Sequence, residues 1–140
     1  MDHSGTDLTL STVTRVDPIS AHFTVGDLVK SETATRHGID NWFESATQLR
    51  ASVFLARTLL DEIYDKCGPF IPNSVYRSQA LERALKRRRL PWVSQSQHTR
   101  GEAADIEVPG MSTMELAVWI TKNRAYDQVI LEMYTPGIPA

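Results

Sequence analysis

A histidine and an aspartate stand seven positions apart in the segment 94–108, where the side chains best suited to chemistry are concentrated. His98 follows a polar Ser/Gln loop. Gly101 permits a backbone turn, and residues 103–108 then alternate like a half-buried strand. In such a strand Asp105 lies on the face opposite Ile106. An imidazole nitrogen and a carboxylate oxygen brought together in this way could bind Zn²⁺ at about 2.0–2.2 Å.

Spacing alone leaves that interpretation open, because a His and an Asp at this separation also occur by chance in many chains. Two ligands complete neither a structural zinc site nor a catalytic one. His22 and His37 are further histidines in the chain. Histidine is also a common polar packing residue, so we expect both to be structural.

Small residues and a serine surround the His/Asp pair in a recognisable pattern: Ser96, His98, Gly101, Ala103 and Asp105. This pattern resembles the S-x-H-x-x-G-x-A-x-D signature of a family of zinc peptidases. The family includes D-Ala-D-Ala carboxypeptidases and dipeptidases, phage L-alanyl-D-glutamate endolysins and the hedgehog signalling domain. The resemblance implies that His98 and Asp105 bind zinc and that Ser96 can hydrogen-bond the substrate.

An arginine element precedes that pattern in the chain. Residues 75–81 resemble the family's S-G-Y-R-S-P-x-L-N segment, which implies that Arg77 binds substrate. A guanidinium can hold a carboxylate or carbonyl through two parallel hydrogen bonds, which a lysine cannot match. The chain departs from the pattern at Val75, where the family has glycine, and at Glu82, where it has asparagine. The alternative is an ordinary surface arginine.

Glu132 lies within the most strand-like run of the chain, residues 128–134. A carboxylate among apolar residues is unfavourable unless it is paired or used in chemistry. The resemblance implies that Glu132 is the general base that takes a proton from the attacking water, with an apolar wall raising its pKa. The alternative is a glutamate that pairs with a core arginine.

The resemblance is incomplete at one position. The family's third zinc ligand is a histidine on a final strand, and no histidine follows His98. A catalytic zinc normally has three protein ligands and one open position. Three explanations remain: a sequence cut before the last strand, a partner chain or an N-terminal histidine that completes the site, or a retired peptidase kept as a structural module.

The order of predicted elements indicates an α+β domain with a small, mainly antiparallel sheet and helices packed against it. The predicted helices lie near 24–35, 45–66, 78–89 and 112–123, and the predicted strands at 70–76, 103–108 and 128–134. The resemblance implies a hedgehog/DD-peptidase-like fold. We expect residues 1–19 to form a flexible or docking arm and residues 20–140 to form the peptidase-like domain, without its last strand.

Composition limits the possible partners. A chain of 140 residues with 41% hydrophobic residues and a net charge of −2 is long enough for one well-packed domain. No apolar run approaches the roughly 18 residues of a membrane span. The basic run at 86–89 is typical of a solvated helix end, so nucleic acid is not an expected partner. The single cysteine, Cys67, excludes an internal disulfide.

The resemblance implies a zinc peptidase that acts on peptidoglycan peptides and originates from a phage or prophage. Without a signal peptide, we expect synthesis in the cytoplasm and action at the cell wall through lysis or as part of a phage particle. The alternative is a non-catalytic virion or tail component, or a wall-binding module, that retains the peptidase fold and binds other phage structural proteins.

Overall fold

The computed structural model of the chain describes residues 8–123 and 130–133. It is a small domain of mixed helix with little strand. In these ranges, six α-helices and two strands follow in chain order: α1 (Val25–Val29), α2 (Glu32–His37), α3 (Ala46–Leu55), α4 (Asp61–Cys67), α5 (Gln79–Lys86), β1 (Ala103–Ile106), α6 (Thr113–Asn123) and β2 (Ile130–Met133). A π-helical turn (Ala56–Leu60) joins α3 to α4, and a 3₁₀ turn (Gln97–Arg100) precedes β1.

Capping residues start several helices where the sequence predicts, but the single helix predicted near 24–35 is two short helices, α1 and α2, because the backbone is extended at Lys30. Thr24 and Asp27 form a capping box at α1, and the Ser112 and Glu115 side chains each accept the other's backbone N–H at the start of α6. The predicted helix 45–66 is the continuous run α3, π-helical turn and α4, which ends at Gly68. The helix predicted over 78–89 is shorter, because Arg87 takes a left-handed conformation and ends α5 at Lys86.

The predicted mainly antiparallel sheet is wrong for the described residues. Their one ladder joins β1 to β2 in parallel, with α6 as the crossover that a parallel pair requires. The strand predicted at 70–76 is reduced to a single antiparallel bridge between Ser74 and Asp105. Pro69 and Pro72 lack the N–H that ladder pairing uses, which accounts for that reduction.

The hydrophobic core lies between the α3–α4 run, α1 and the inner face of β1. Its largest fully buried members include Phe23, Leu28, Leu59, Tyr76 and Ile106. Residues 8–19 are the described part of the predicted arm 1–19, and two of them, Val13 and Ile19, are buried in this core. Among the described helices, none combines the length and the apolar character that crossing a bilayer requires.

Candidate metal centre

His98 is fully buried and rigidly oriented. It lies in the 3₁₀ turn, which begins where the Ser96 hydroxyl accepts the His98 backbone N–H at 3.2 Å. The ring atom Nδ1 lies 2.7 Å from the carbonyl oxygen of Val75. A carbonyl can only accept, so Nδ1 carries a proton, and in that tautomer of the neutral ring the lone pair is at Nε2. Hydrogen bonding at the other nitrogen is the usual way in which a metal-binding histidine is oriented.

Asp105 provides the oxygen that faces this lone pair. It lies in β1, and its Oδ1 is 3.6 Å from Nε2 of His98. That distance exceeds the roughly 2.7–3.2 Å of an N–H···O hydrogen bond. Two donors bound at about 2.0–2.2 Å to one tetrahedral ion are roughly 3.3–3.6 Å apart. The spacing and the chemistry of the pair therefore fit two ligands of one Zn²⁺.

Arg77 holds the other oxygen of Asp105, with Nη2 donating to Oδ2 at 2.8 Å. Its Nη1 donates to Glu82 at 3.1 Å and its Nε to the Ser74 hydroxyl at 3.0 Å. The Arg77 side chain is only 15% exposed, which removes the alternative of an ordinary surface arginine. The backbone N–H of Arg77 also donates to the carbonyl of His98 at 3.1 Å, so Arg77 is hydrogen-bonded to both members of the His/Asp pair.

Glu82 is the buried carboxylate at the far end of this chain of contacts. Its oxygens accept from Arg77 at 3.1 Å, from Lys86 at 3.1 Å and from the Ser94 hydroxyl at 2.6 Å. Burial alone would raise the pKa of Glu82. The hydrogen bonds from Ser94, Lys86 and Arg77 outweigh burial, so its pKa lies below the ordinary glutamate value.

Because of the Glu82 contacts, the free energy of unfolding depends on pH. A carboxylate whose pKa is lower in the folded chain stabilises fully above its unfolded value, 4.5, and loses that contribution as pH falls through the folded pKa. We expect Glu82→Gln to lower the free energy of unfolding by about 3 kcal/mol at pH 7, and this deficit to shrink in acid. Urea unfolding at a series of pH values measures it. A deficit that stays constant down to pH 3 would contradict the expectation, and exposed Glu32→Gln is the control without a deficit.

Asn41 is a buried residue of the site's framework that sequence reasoning missed. Its amide nitrogen donates to the carbonyls of Val29 at 2.8 Å and Tyr76 at 2.9 Å, and its oxygen accepts the Ser78 N–H at 2.7 Å. These bonds hold the backbone on both sides of Arg77. A lone asparagine in a loop has no periodicity to reveal such a role. The role of Glu82 in the framework was also missed, although the sequence offered one signal for it: Glu82 stands where the family pattern has asparagine.

The remaining predicted site residues are placed as follows. Ser96 lies beside the pair, where its hydroxyl caps the 3₁₀ turn. For Glu132 the structure describes the backbone, which lies opposite Asp105 in the β1–β2 register. His22 stacks on Tyr64 and lies 2.7 Å from Asp65, away from His98. Within the described part of the chain, no group of three or more His, Cys, Asp or Glu side chains is arranged to hold a metal.

A buried His98 and a partly buried Asp105, each held by a hydrogen bond in a small mixed domain, define a candidate metal centre. Comparison with known proteins identifies the family of the chain. The family model described as Peptidase M15 matches residues 21–135, most of the chain. The chain therefore belongs to the peptidase M15 family, whose members are generally zinc-dependent metallopeptidases. No curated protein and no solved structure is found to match it.

Proposed function

We propose that this chain is a zinc-dependent peptidase that cleaves peptide bonds of peptidoglycan, of the D-Ala-D-Ala carboxypeptidase or phage endolysin type, in a hedgehog/DD-peptidase-like fold. The observation that carries the proposal is the 3.6 Å between Nε2 of His98 and Oδ1 of Asp105. That separation suits a shared metal ion better than a hydrogen bond. Membership of the peptidase M15 family supports the class of reaction.

Each residue of the site has a proposed task. Zinc, when bound, supplies a Lewis acid that polarises the scissile carbonyl and makes water a nucleophile at neutral pH. The Nδ1 bond to the Val75 carbonyl orients His98 so that Nε2 faces Asp105. The Arg77 bond to Oδ2 orients Asp105 so that Oδ1 faces His98. Glu132, in register with Asp105, takes the proton from the attacking water.

Arg77 is suited to bind the substrate as well as Asp105. A guanidinium has five N–H groups on three nitrogens. Each nitrogen makes one described bond, to Asp105, Glu82 or Ser74. The side chain also lines a cleft of about 270 Å³, which the exposed Lys30 borders. We propose that the carboxylate of a stem peptide binds in this cleft, whose lining includes the cationic Lys30 and Arg77 and the acidic Glu32. Ser96 would add a hydrogen bond to the same peptide.

The first test is the zinc content of the purified chain. We expect close to one zinc per chain and loss of most of it in His98→Ala, because an imidazole ligand disappears. The exposed His37→Ala should keep its zinc and serves as the matched control. Residues 1–7, and His3 among them, lie outside the described part of the chain. The zinc content of His3→Ala therefore tests whether an N-terminal histidine completes the site.

Hydrolysis of purified wall peptides is the second measurement on the same samples. Release of new amino groups by the zinc-loaded chain, lost in His98→Ala, supports the peptidase. A folded chain that takes up no zinc contradicts it. That outcome would favour a non-catalytic virion, tail or wall-binding component, and association with phage structural proteins would then be the property to measure.

A further inference from the structure

The charges around Asp105 form an alternating row that runs into the protein. Asp105 pairs with Arg77 at 2.8 Å, Arg77 pairs with Glu82 at 3.1 Å, and Glu82 pairs with Lys86 at 3.1 Å. The Glu82 side chain is 0% exposed and that of Arg77 is 15% exposed, so water screens this pair little. The Lys86 side chain is 49% exposed, so its charge is largely screened by solvent.

Charge balance at the metal centre depends on this row. A guanidinium beside a metal-binding carboxylate offsets the negative charge that attracts a cation. A histidine binds a metal as the neutral ring, so Asp105 and Arg77 by themselves would present a net charge of zero. Glu82 makes the net charge of these side chains negative, because its carboxylate neutralises Arg77 from the opposite side.

We propose that Glu82 is a positioning residue for the metal centre: it neutralises Arg77 and orients its guanidinium, so that Asp105 keeps its negative charge and its orientation toward His98 when zinc binds. This inference rests on the proposed zinc-dependent function. It assigns a role to a residue that touches neither the metal pair nor the cleft beside Arg77. Orientation and charge act in the same direction at Glu82, since losing the carboxylate frees the guanidinium and leaves its charge unbalanced.

Arg77 differs from Glu82 in this respect. Removing Arg77 loosens the Asp105 carboxylate but also removes a nearby positive charge, so the two effects on zinc affinity oppose each other. Variants at both positions therefore distinguish an effect of Glu82 on charge from an effect on structural support alone. If Glu82 acts by balancing charge, a chain that lacks both charges should bind zinc better than a chain that lacks Glu82 alone.

The experiment measures zinc affinity of the full chain by competition with a chromophoric chelator. We expect Glu82→Gln to bind zinc about tenfold more weakly, the low end of the 10- to 100-fold losses seen when outer partners of metal ligands are removed. Ser94→Ala is the matched control, because it removes a 2.6 Å hydrogen bond from the same carboxylate and leaves every charge in place. Its affinity should stay close to that of the wild type.

The double variant Glu82→Gln/Arg77→Met supplies the test of charge. It should bind zinc more tightly than Glu82→Gln alone, and replacing both partners of a buried pair gives it a route to fold if Glu82→Gln does not. Equal affinity of Glu82→Gln and wild type overturns the inference, as does an equal loss in Ser94→Ala or no recovery in the double variant. A wild type that binds no zinc overturns the proposed function itself, and the inference with it.

Discussion

Replacing Gly101 with alanine should reduce the free energy of unfolding by about 2–5 kcal/mol, from left-handed strain and overpacking together. The backbone φ of Gly101 is +74°, a region that disfavours side chains. An added Cβ would also lie 2.7 Å from the backbone oxygen of Gln48 and closer still to the Ser52 hydroxyl. The backbone oxygen cannot rotate away, so the 3₁₀ turn would have to move.

Movement of that turn would reach the metal centre. Gly101 ends the turn that carries His98, and its N–H donates to the His98 carbonyl at 3.3 Å. The Gln48 side chain holds the same turn against α3 through a 3.1 Å bond to the Thr99 carbonyl. We therefore expect Gly101→Ala to weaken zinc binding as well as stability, because Nε2 shifts relative to Asp105.

Urea unfolding of Gly101→Ala beside Gly110→Ala measures the packing contribution. Gly110 has a φ of +85°, and a Cβ there would meet nothing within 4 Å. Gly110→Ala should therefore show only the strain of the left-handed backbone, about 1–2 kcal/mol. If both variants lose the same stability, the close approach of the turn to α3 contributes nothing, and our account of this glycine is wrong.

Local signals predicted the helices because their causes are local. A capping serine and a glutamate three residues on define the start of α6 wherever the helix packs. Gly68 ends α4 for a similarly local reason, since a glycine accepts the backbone conformation that stops a helix. The end of α5 was missed because Arg87 takes a left-handed conformation that its residue type does not favour.

Strand pairing could be predicted only in part. Alternation in 103–108 predicts a strand, but a period of two says nothing about the direction of the neighbouring strand. The order strand, helix, strand over β1, α6 and β2 does carry that information, because parallel neighbours need a crossover. Giving the crossover more weight than the family's sheet would have predicted the parallel ladder.

The candidate site shows the same division between local and distant causes. The sequence predicted that His98 and Asp105 lie close together, as the structure has them, because the turn and strand that carry them are contiguous in sequence. The buried network behind them joins Arg77 to Asp105 across 28 positions and Ser94 to Glu82 across 12. Such contacts depend on how the elements pack, which the spacing of residues in one segment does not encode.

Replacing Glu132 with glutamine should reduce kcat on wall peptides by about 10²- to 10⁴-fold, the usual contribution of a general base. The amide keeps the size of the side chain but cannot accept a proton from water. The Cα of Glu132 pairs with that of Asp105 across the β1–β2 ladder, so β2 is paired with the strand that carries one member of the metal pair. Zinc content should be unchanged, since the proposal gives Glu132 no ligand role.

Steady-state kinetics on zinc-loaded protein separate the general base from other roles. A loss confined to kcat, with KM and zinc content retained, indicates a group that acts in the transition state. Glu102→Gln is the matched control: its carboxylate lies one residue before β1 and pairs at the surface with Arg100, so its kcat should equal that of the wild type. A Glu132→Gln chain with unchanged kcat would require another base, while loss of zinc in that chain would make Glu132 a metal ligand instead.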